Sequence, residues 1–290
     1  MKNFDVVISI VIYQQKIQDL DLLLSDLGKI KDLSLQIVIV DNSTESQILS
    51  KDFLEKKEFS EKIDSIFSGK NLGYGRAHNL AIQKYNNHCR YHLVLNPDIR
   101  ITEGTLESLI QAMDQNPNLG LSIPPTIYED GSPQYLVRLL PTPMDLIVRL
   151  LPFPQFVKNH FNDQYEMKEA DYNQKFEAPY LSGCFMLLRS TVVKALIQEM
   201  SPKFPAELRG PFDDRFFMYF EDVDLSRRVF SKASCQYLPL GKITHGYQRG
   251  SRKSFALLRA HLFSAFQYFS KWGWFFDPER TRINREKDPS

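Results

Sequence analysis

The sequence predicts an α/β fold, a doubly wound and mostly parallel sheet with helices on both faces and a helical extension at the C-terminus. Three observations carry that reading. Apolar, β-branched runs recur at residues 6–13 and 35–40, with leucines at helical spacing between them from Asp19 to Ile30. A further apolar run, residues 91–95, stops abruptly at Asn96-Pro97-Asp98. Continuous apolar strands are buried on both faces, and strands that alternate with helices require parallel crossovers.

The remaining elements follow in order. Residues 63–67 read as a third strand, 76–85 as a helix and 91–95 as a fourth strand. Thr102 and Glu103 introduce a helix at 105–113 that Asn116-Pro117 ends. Residues 124–154 hold seven prolines among leucines and arginines, which predicts loop and short helix rather than sheet. Residues 178–189 then read as a strand, 190–199 as a helix, and 216–229 as a segment turning helical around an acidic cluster. The organisation expected is a catalytic domain over 1–250, its first 125 residues forming the nucleotide-binding half, with 251–290 as an amphipathic helical extension.

Composition narrows the class. Lys and Arg number 36 against 35 Asp and Glu in 290 residues, a net charge of +1, so no global field marks a nucleic-acid binder. The three cysteines, Cys89, Cys184 and Cys235, lie far apart without the spacing of a zinc site or a disulfide framework, which suits a reducing cytoplasm. The N-terminal run reads as a first strand and not as a signal peptide. The most apolar tail, 255–276, is broken by Arg259, His261 and Lys271, so it falls short of the roughly 18–20 apolar residues of a membrane span.

Chemistry concentrates in a few places. A proline has no N–H for a sheet ladder, so Pro97 marks the exit of the fourth strand and sets Asp98 at the sheet rim, where open α/β sheets bind ligands. A carboxylate there is a hard oxygen ligand for a metal-held phosphate, or else a helix cap. Downstream, FFMYFEDVDL packs Glu221, Asp222 and Asp224 beside aromatics. On a helix, Glu221 and Asp224 share a face while Asp222 points elsewhere, and one carboxylate facing a cleft would serve as a base. Asp41, followed by Asn42 and Ser43, stands where the second strand ends and reads either as a nucleobase or ribose acceptor or as a turn residue. The glycine-rich stretch from Gly69 to Asn79 enters a helix but matches neither standard phosphate-loop spacing. His245, with Arg249, Arg252 and Lys253, reads as a cationic loop able to close over a diphosphate, or as a solvated basic turn.

Taken in order, the first strand, VDNS, KNLGYGRAHN, LNPD, SGCFMLLR, FMYFEDVDL and the late histidine resemble the family 2 glycosyltransferases of GT-A fold, in their bacterial rhamnosyltransferase-like branch. The resemblance runs from about Val6 to Phe269. It implies donor binding at Asp41, Asn71, Gly73 and Asn79, with Asn96 and Arg249 as further donor contacts. It implies a divalent cation, Mg²⁺ or Mn²⁺, at Asp98 with His245. Asp222 is then the base that deprotonates the acceptor hydroxyl in an inverting transfer, with Glu221 as the alternative base and 126–250 as the acceptor half.

The donor implied is dTDP-rhamnose, or a UDP-sugar. The acceptor is a saccharide on polyprenyl diphosphate, in surface-polysaccharide synthesis. The metal motif is NPD where the family has DXD, and the QxxRW sequence that accompanies processive synthesis is absent, so addition of one or a few sugars is expected. Phe255, Leu258, Leu262, Phe266 and Phe269 form a stripe at helical spacing that either packs on the catalytic domain or lies in a lipid headgroup region, which would place the protein peripherally on the inner face of the membrane. Two other classes compete: a sugar nucleotidyltransferase, whose glycine- and Arg/Lys-rich signature is missing from Ser9 to Lys16, and a non-catalytic nucleotide- or carbohydrate-binding protein.

Overall fold

The structure, a computed structural model, describes residues 3–14, 17–46, 59–199, 209–246 and 255–289. Its strands are β1 (Phe4–Ile12), β2 (Leu35–Asp41), β3 (Ile63–Phe67), β4 (Cys89–Leu95), β5 (Ile99–Ile101), β6 (Leu119–Ile123), β7 (Thr126–Ile127), β8 (Val137–Arg138), β9 (Phe176–Glu177), β10 (Tyr180–Leu181), β11 (Phe185–Arg189), β12 (Ser234–Tyr237) and β13 (Ile243–His245). The helices are α1 (Ile17–Gly28), α2 (Tyr74–Tyr85), α3 (Thr105–Gln115), α4 (Pro143–Leu150), α5 (Gln155–Tyr165), α6 (Ser190–Gln198), α7 (Glu221–Phe230), α8 (Phe255–Trp272) and α9 (Pro278–Lys287).

Eight strands form the main sheet in the order β3-β2-β1-β4-β11-β6-β12-β9. Apolar runs place β1, β2 and β4 at its centre, where parallel pairing buries both faces. β11 runs antiparallel between β4 and β6, and β12 is parallel to β6. The C-terminal ends of β2, β4, β6 and β12 therefore share one sheet edge with the start of β11. A three-stranded sheet, β5-β13-β7, caps that edge and carries His245 back to the exit of β4. Because β11 sits beside β4, the two sequence halves share one core.

Three local expectations are corrected. Residues 178–189 are not one strand: β10 pairs with β8, β11 pairs with β4, and the chain turns between them at Gly183. The proline-rich region contributes the short strands β7 and β8 as well as the helix α4. α3 follows Gly104 in the left-handed region, with no side-chain cap from Thr102 or Glu103.

The C-terminal helices pack against α7. Arg227 and Asp277, 2% and 3% exposed, make two hydrogen bonds of 2.6 and 2.8 Å, and the guanidinium stacks 4.1 Å from the Trp272 ring centroid. The Asn284 carboxamide accepts from the Leu140 N–H and donates to its carbonyl. The predicted stripe on α8 divides: Phe269 is buried with Ala265 and Tyr268, whereas Phe255, Leu262 and Phe266 are exposed.

Candidate active site

The first corner of the site is built by β4, β5 and β13. Antiparallel pairing sets His245 opposite Ile99, next to Asp98, and the Gly246 N–H donates to the Asp98 carbonyl at 3.1 Å. His245 Nε2 stands 3.6 Å from Asp98 Oδ1. Its other ring nitrogen lies 3.0 Å from Gln134 Oε1, while Gln134 Nε2 donates to the His245 carbonyl at 3.0 Å.

That carboxamide orientation fixes the tautomer. Oε1 only accepts, so Nδ1 carries the proton and Nε2 presents its lone pair toward the carboxylate. Burial pushes His245 down to about 4, keeping the ring neutral near pH 7, and pushes the Asp98 carboxyl up to about 6. Two acceptors facing each other repel unless a cation or a proton lies between them. A carboxylate and an imidazole steadied by a second partner fit a divalent cation such as Mn²⁺. Among the described residues no group of three or more His, Cys, Asp or Glu could hold a metal, so the remaining ligands would have to come from a bound molecule or water.

The second corner is the start of α7. Asp222 Oδ2 accepts from the Gly183 N–H at 2.9 Å and from the Tyr180 hydroxyl at 3.0 Å, and Oδ1 accepts from the Val223 N–H. Arg138 donates in turn to the Tyr180 hydroxyl at 3.1 Å. Glu221 is different: it is 5% exposed, its Oε2 has no hydrogen-bond partner among the described residues, and burial with the adjacent Asp222 pushes its carboxyl up to about 8, which favours its protonated form near neutral pH. Asp224 is fully buried and taken by Arg228, Lys271 and Trp272.

The two corners meet at Tyr74 and Gly183. The Tyr74 hydroxyl donates to the Gly183 carbonyl at 2.6 Å and stands 3.0 Å from the Asn96 carboxamide, while the Asn96 N–H donates to the Cys184 carbonyl. Burial, followed by Cys184, Glu221, Asp222 and Asp98, holds the Tyr74 phenol well above its usual range. Asp98 and Asp222, from separate elements, thus both lie within electrostatic reach of Tyr74.

The third part lies beyond β2. Asp41 is 1% exposed, with Oδ1 bound to the Ser43 N–H and Oδ2 buried without a partner among the described residues. A buried lone acceptor is costly, and a donor from a bound base or ribose would satisfy it. Asn71 shapes the neighbouring loop, accepting from Asn42 Nδ2 at 3.1 Å and from the Gly73 N–H at 2.9 Å.

Two expected donor contacts have other work. Asn79 is 1% exposed and spends both ends of its carboxamide on the Phe212 backbone. Gly73 has φ 84°, and a Cβ there would collide with the Phe217 carbonyl that accepts from the Tyr74 N–H, so the glycine serves chain packing. Arg249, with Arg252 and Lys253, lies outside the described residues. Gln134, Tyr180 and Arg138 are residues that sequence reasoning passed over. Asn42, Tyr74 and Gly183 lie inside the motifs VDNS, KNLGYGRAHN and SGCFMLLR, but sequence reasoning assigned them no role of their own.

One edge of the α/β sheet thus carries Asp98 with His245 and, from another element, the hydrogen-bonded Asp222 carboxylate. The glycosyl transferase family 2 model matches residues 8–197, and the chain belongs to that family. It is 26% identical over 227 residues to an N-acetylglucosaminyl-diphospho-decaprenol L-rhamnosyltransferase of Mycobacterium tuberculosis, covering 73% of this chain and 69% of the relative. It is also 26% identical over 215 residues to rhamnosyltransferase WbbL of Escherichia coli K12, covering 70% and 72%. The GT-A fold is shared with the mannosyltransferase PcManGT of Pyrobaculum calidifontis, solved with GDP-mannose and Mn²⁺, at a TM-score of 0.58, 12% identity and coverage of 99% and 70%.

Two expectations can be measured. Glu221 keeps its proton in the folded chain but loses it near 4.5 when unfolded, so between there and about 8 the folded state binds more protons and stability falls as pH rises. Glu221→Gln removes that loss: its stability gain in urea unfolding is to widen from acidic to mildly alkaline pH, and a pH-independent difference contradicts the assignment. Gln134→Leu frees the His245 ring, and Mn²⁺ affinity read by electron paramagnetic resonance is to fall roughly 10–100-fold. Unchanged affinity contradicts the supporting role.

Proposed function

We propose that the protein is an inverting, non-processive glycosyltransferase that moves rhamnose from dTDP-rhamnose to a saccharide carried on polyprenyl diphosphate, in surface-polysaccharide assembly at the cytoplasmic face of a membrane. The observation that carries this reading is the meeting of Asp98 and His245 with Asp222 across the Gly183 peptide and Tyr74. The names of the mycobacterial and Escherichia coli relatives support rhamnose, and the former supports a lipid diphosphate. A UDP-hexose donor is the alternative.

In this mechanism Asp222 takes the proton of the acceptor hydroxyl as its oxygen forms a bond to the anomeric carbon from the face opposite the leaving group. The bond from that carbon to the diphosphate oxygen breaks, and the departing nucleotide diphosphate keeps the electron pair. A divalent cation held by Asp98 and His245 would supply positive charge for that diphosphate. Asp41 holds the base or ribose. Gly183 and Tyr180 aim the Asp222 carboxylate, which must point at one hydroxyl for proton transfer to keep pace with attack.

A membrane-facing role draws on the outer aromatics. Phe255, Phe263, Phe266, Phe275 and Phe276 are exposed, Phe276 by 93%, with Arg259, Arg282 and Arg285 also at the surface. Among the described residues no helix is long and apolar enough to cross a membrane, which suits contact from one side.

Asp222→Asn is expected to leave Mn²⁺-dependent dTDP binding intact while transfer falls roughly 10²–10⁴-fold. Full turnover in that variant refutes the base role. In flotation with phosphatidylglycerol vesicles the protein should rise with the lipid, and a Phe263, Phe266 and Phe276 triple serine variant should not. Wild-type protein left at the bottom of the gradient rejects the membrane contact.

A further inference from the structure

A cavity of about 350 Å³ lies at the ends of β6 and β12, outside both corners of the site. It is lined by Tyr135, Tyr172 and Tyr237, with Lys168, Asp171 and Asn173 among its polar residues. The rings form a connected wall: Tyr172 sits 5.2 Å from Tyr135 and 5.0 Å from Tyr237 between centroids, both edge to face. The Tyr237 hydroxyl donates to the Tyr172 carbonyl, which fixes that wall on the sheet.

Position gives the cavity its meaning. Along the ligand edge of the sheet the order is Asp41 on β2, Asp98 after β4, Gly183 before β11 with Asp222 of α7 hydrogen-bonded to it, and then this cavity at β6 and β12. Strands are spaced about 4.8 Å, so β6 stands roughly 10 Å from β4, on the side away from Asp41. A donor reaching from Asp41 to Asp98 leaves that far side for the acceptor. Residues 134–138 join the three places: Gln134 lines the cavity and holds His245, and Arg138 holds Tyr180 against Asp222.

We infer that this cavity is a saccharide subsite that grips a sugar unit of the acceptor set back from the reacting hydroxyl, an inference that rests on the glycosyltransferase reading. A sugar ring has an apolar C–H face for an aromatic wall and a rim of hydroxyls for Asp171 and Asn173. The volume, at the small end of the roughly 300–1,000 Å³ of ligand pockets, suits a single ring or a disaccharide. The charge disfavours a diphosphate here. Lys168, the cation at the rim, is already bound to Asp163 at 2.7 Å and Glu166 at 3.4 Å, and Asp171 adds negative charge, so a neutral polyhydroxylated ligand fits best.

The test uses the full chain and three probes, methyl α-L-rhamnopyranoside, methyl β-D-glucopyranoside and N,N′-diacetylchitobiose, in ¹H–¹⁵N chemical-shift titrations, with dTDP and UDP, each with Mn²⁺, as separate titrations. At least one probe is to shift the amides of the cavity wall. Tyr135→Ala is to weaken that probe about tenfold or more, and Tyr135→Phe, which keeps the ring, is to bind as wild type. Wild-type protein and both variants are to bind dTDP with Mn²⁺ alike. Absence of cavity shifts from every probe, or equal affinity in Tyr135→Ala, overturns the subsite while intact dTDP binding leaves the glycosyltransferase reading standing. Failure of wild-type protein to bind either dTDP or UDP with Mn²⁺ overturns both.

Discussion

The Gly183 backbone is the constraint on which this corner depends. Its N–H, in the peptide plane shared with Ser182, donates to Asp222, and its carbonyl, in the plane shared with Cys184, accepts from Tyr74, so two rigid planes joined at one Cα link the Asp222 carboxylate to the Tyr74 ring. The antiparallel join of β4 and β11 fixes where that backbone lies, because Phe185 is in register with Leu95. A side chain at 183 would place its Cβ 3.1 Å from the Asp222 Cβ, tight enough to push the carboxylate aside. Glycine is therefore favoured here by close approach rather than by backbone angle.

Asp222 is also held from behind. Tyr219 and Phe220 lead into α7 with φ of 69° and 65°, a conformation that costs non-glycine residues about 1–3 kcal/mol each and persists only where neighbours enforce it. The enforcement comes from α8. The Phe220 ring packs on His261, Tyr268 and Phe269, and the Ser264 hydroxyl donates to the Met218 carbonyl. Lys271 and Trp272 clasp the buried Asp224 two positions after the base. What the sequence presents as an extension is, in the fold, the support of the turn that aims Asp222.

The sequence made the sheet legible because a strand buried on both faces must be an uninterrupted apolar run, and β1, β2 and β4 are such runs. Asp41, Asp98 and the Glu221-Asp222 pair stood out as candidates because a carboxylate ending such a run, or set among aromatics, invites a ligand as well as a turn or cap. The sequence could not tell Glu221 from Asp222, since their protonation depends on which one loses water. Gln134 was hidden because it sits in a proline-rich loop without periodicity, and its partner His245 is 111 residues away. The glycine-rich loop misled in part: Gly73 and Asn79 are fixed by Phe217 and Phe212, segments that no spacing rule connects to them.

The central claim is that one ligand bearing a diphosphate is gripped by a cation at Asp98 and His245 within reach of Asp222. Anomalous diffraction at the manganese edge from crystals grown with Mn²⁺ and dTDP tests it most directly. The account predicts a single strong peak between Asp98 Oδ1 and His245 Nε2, in contact with the dTDP phosphates, with the pyrimidine beside Asp41. A metal bound elsewhere, or dTDP seated away from the Asp98 and Asp222 corners, would contradict it.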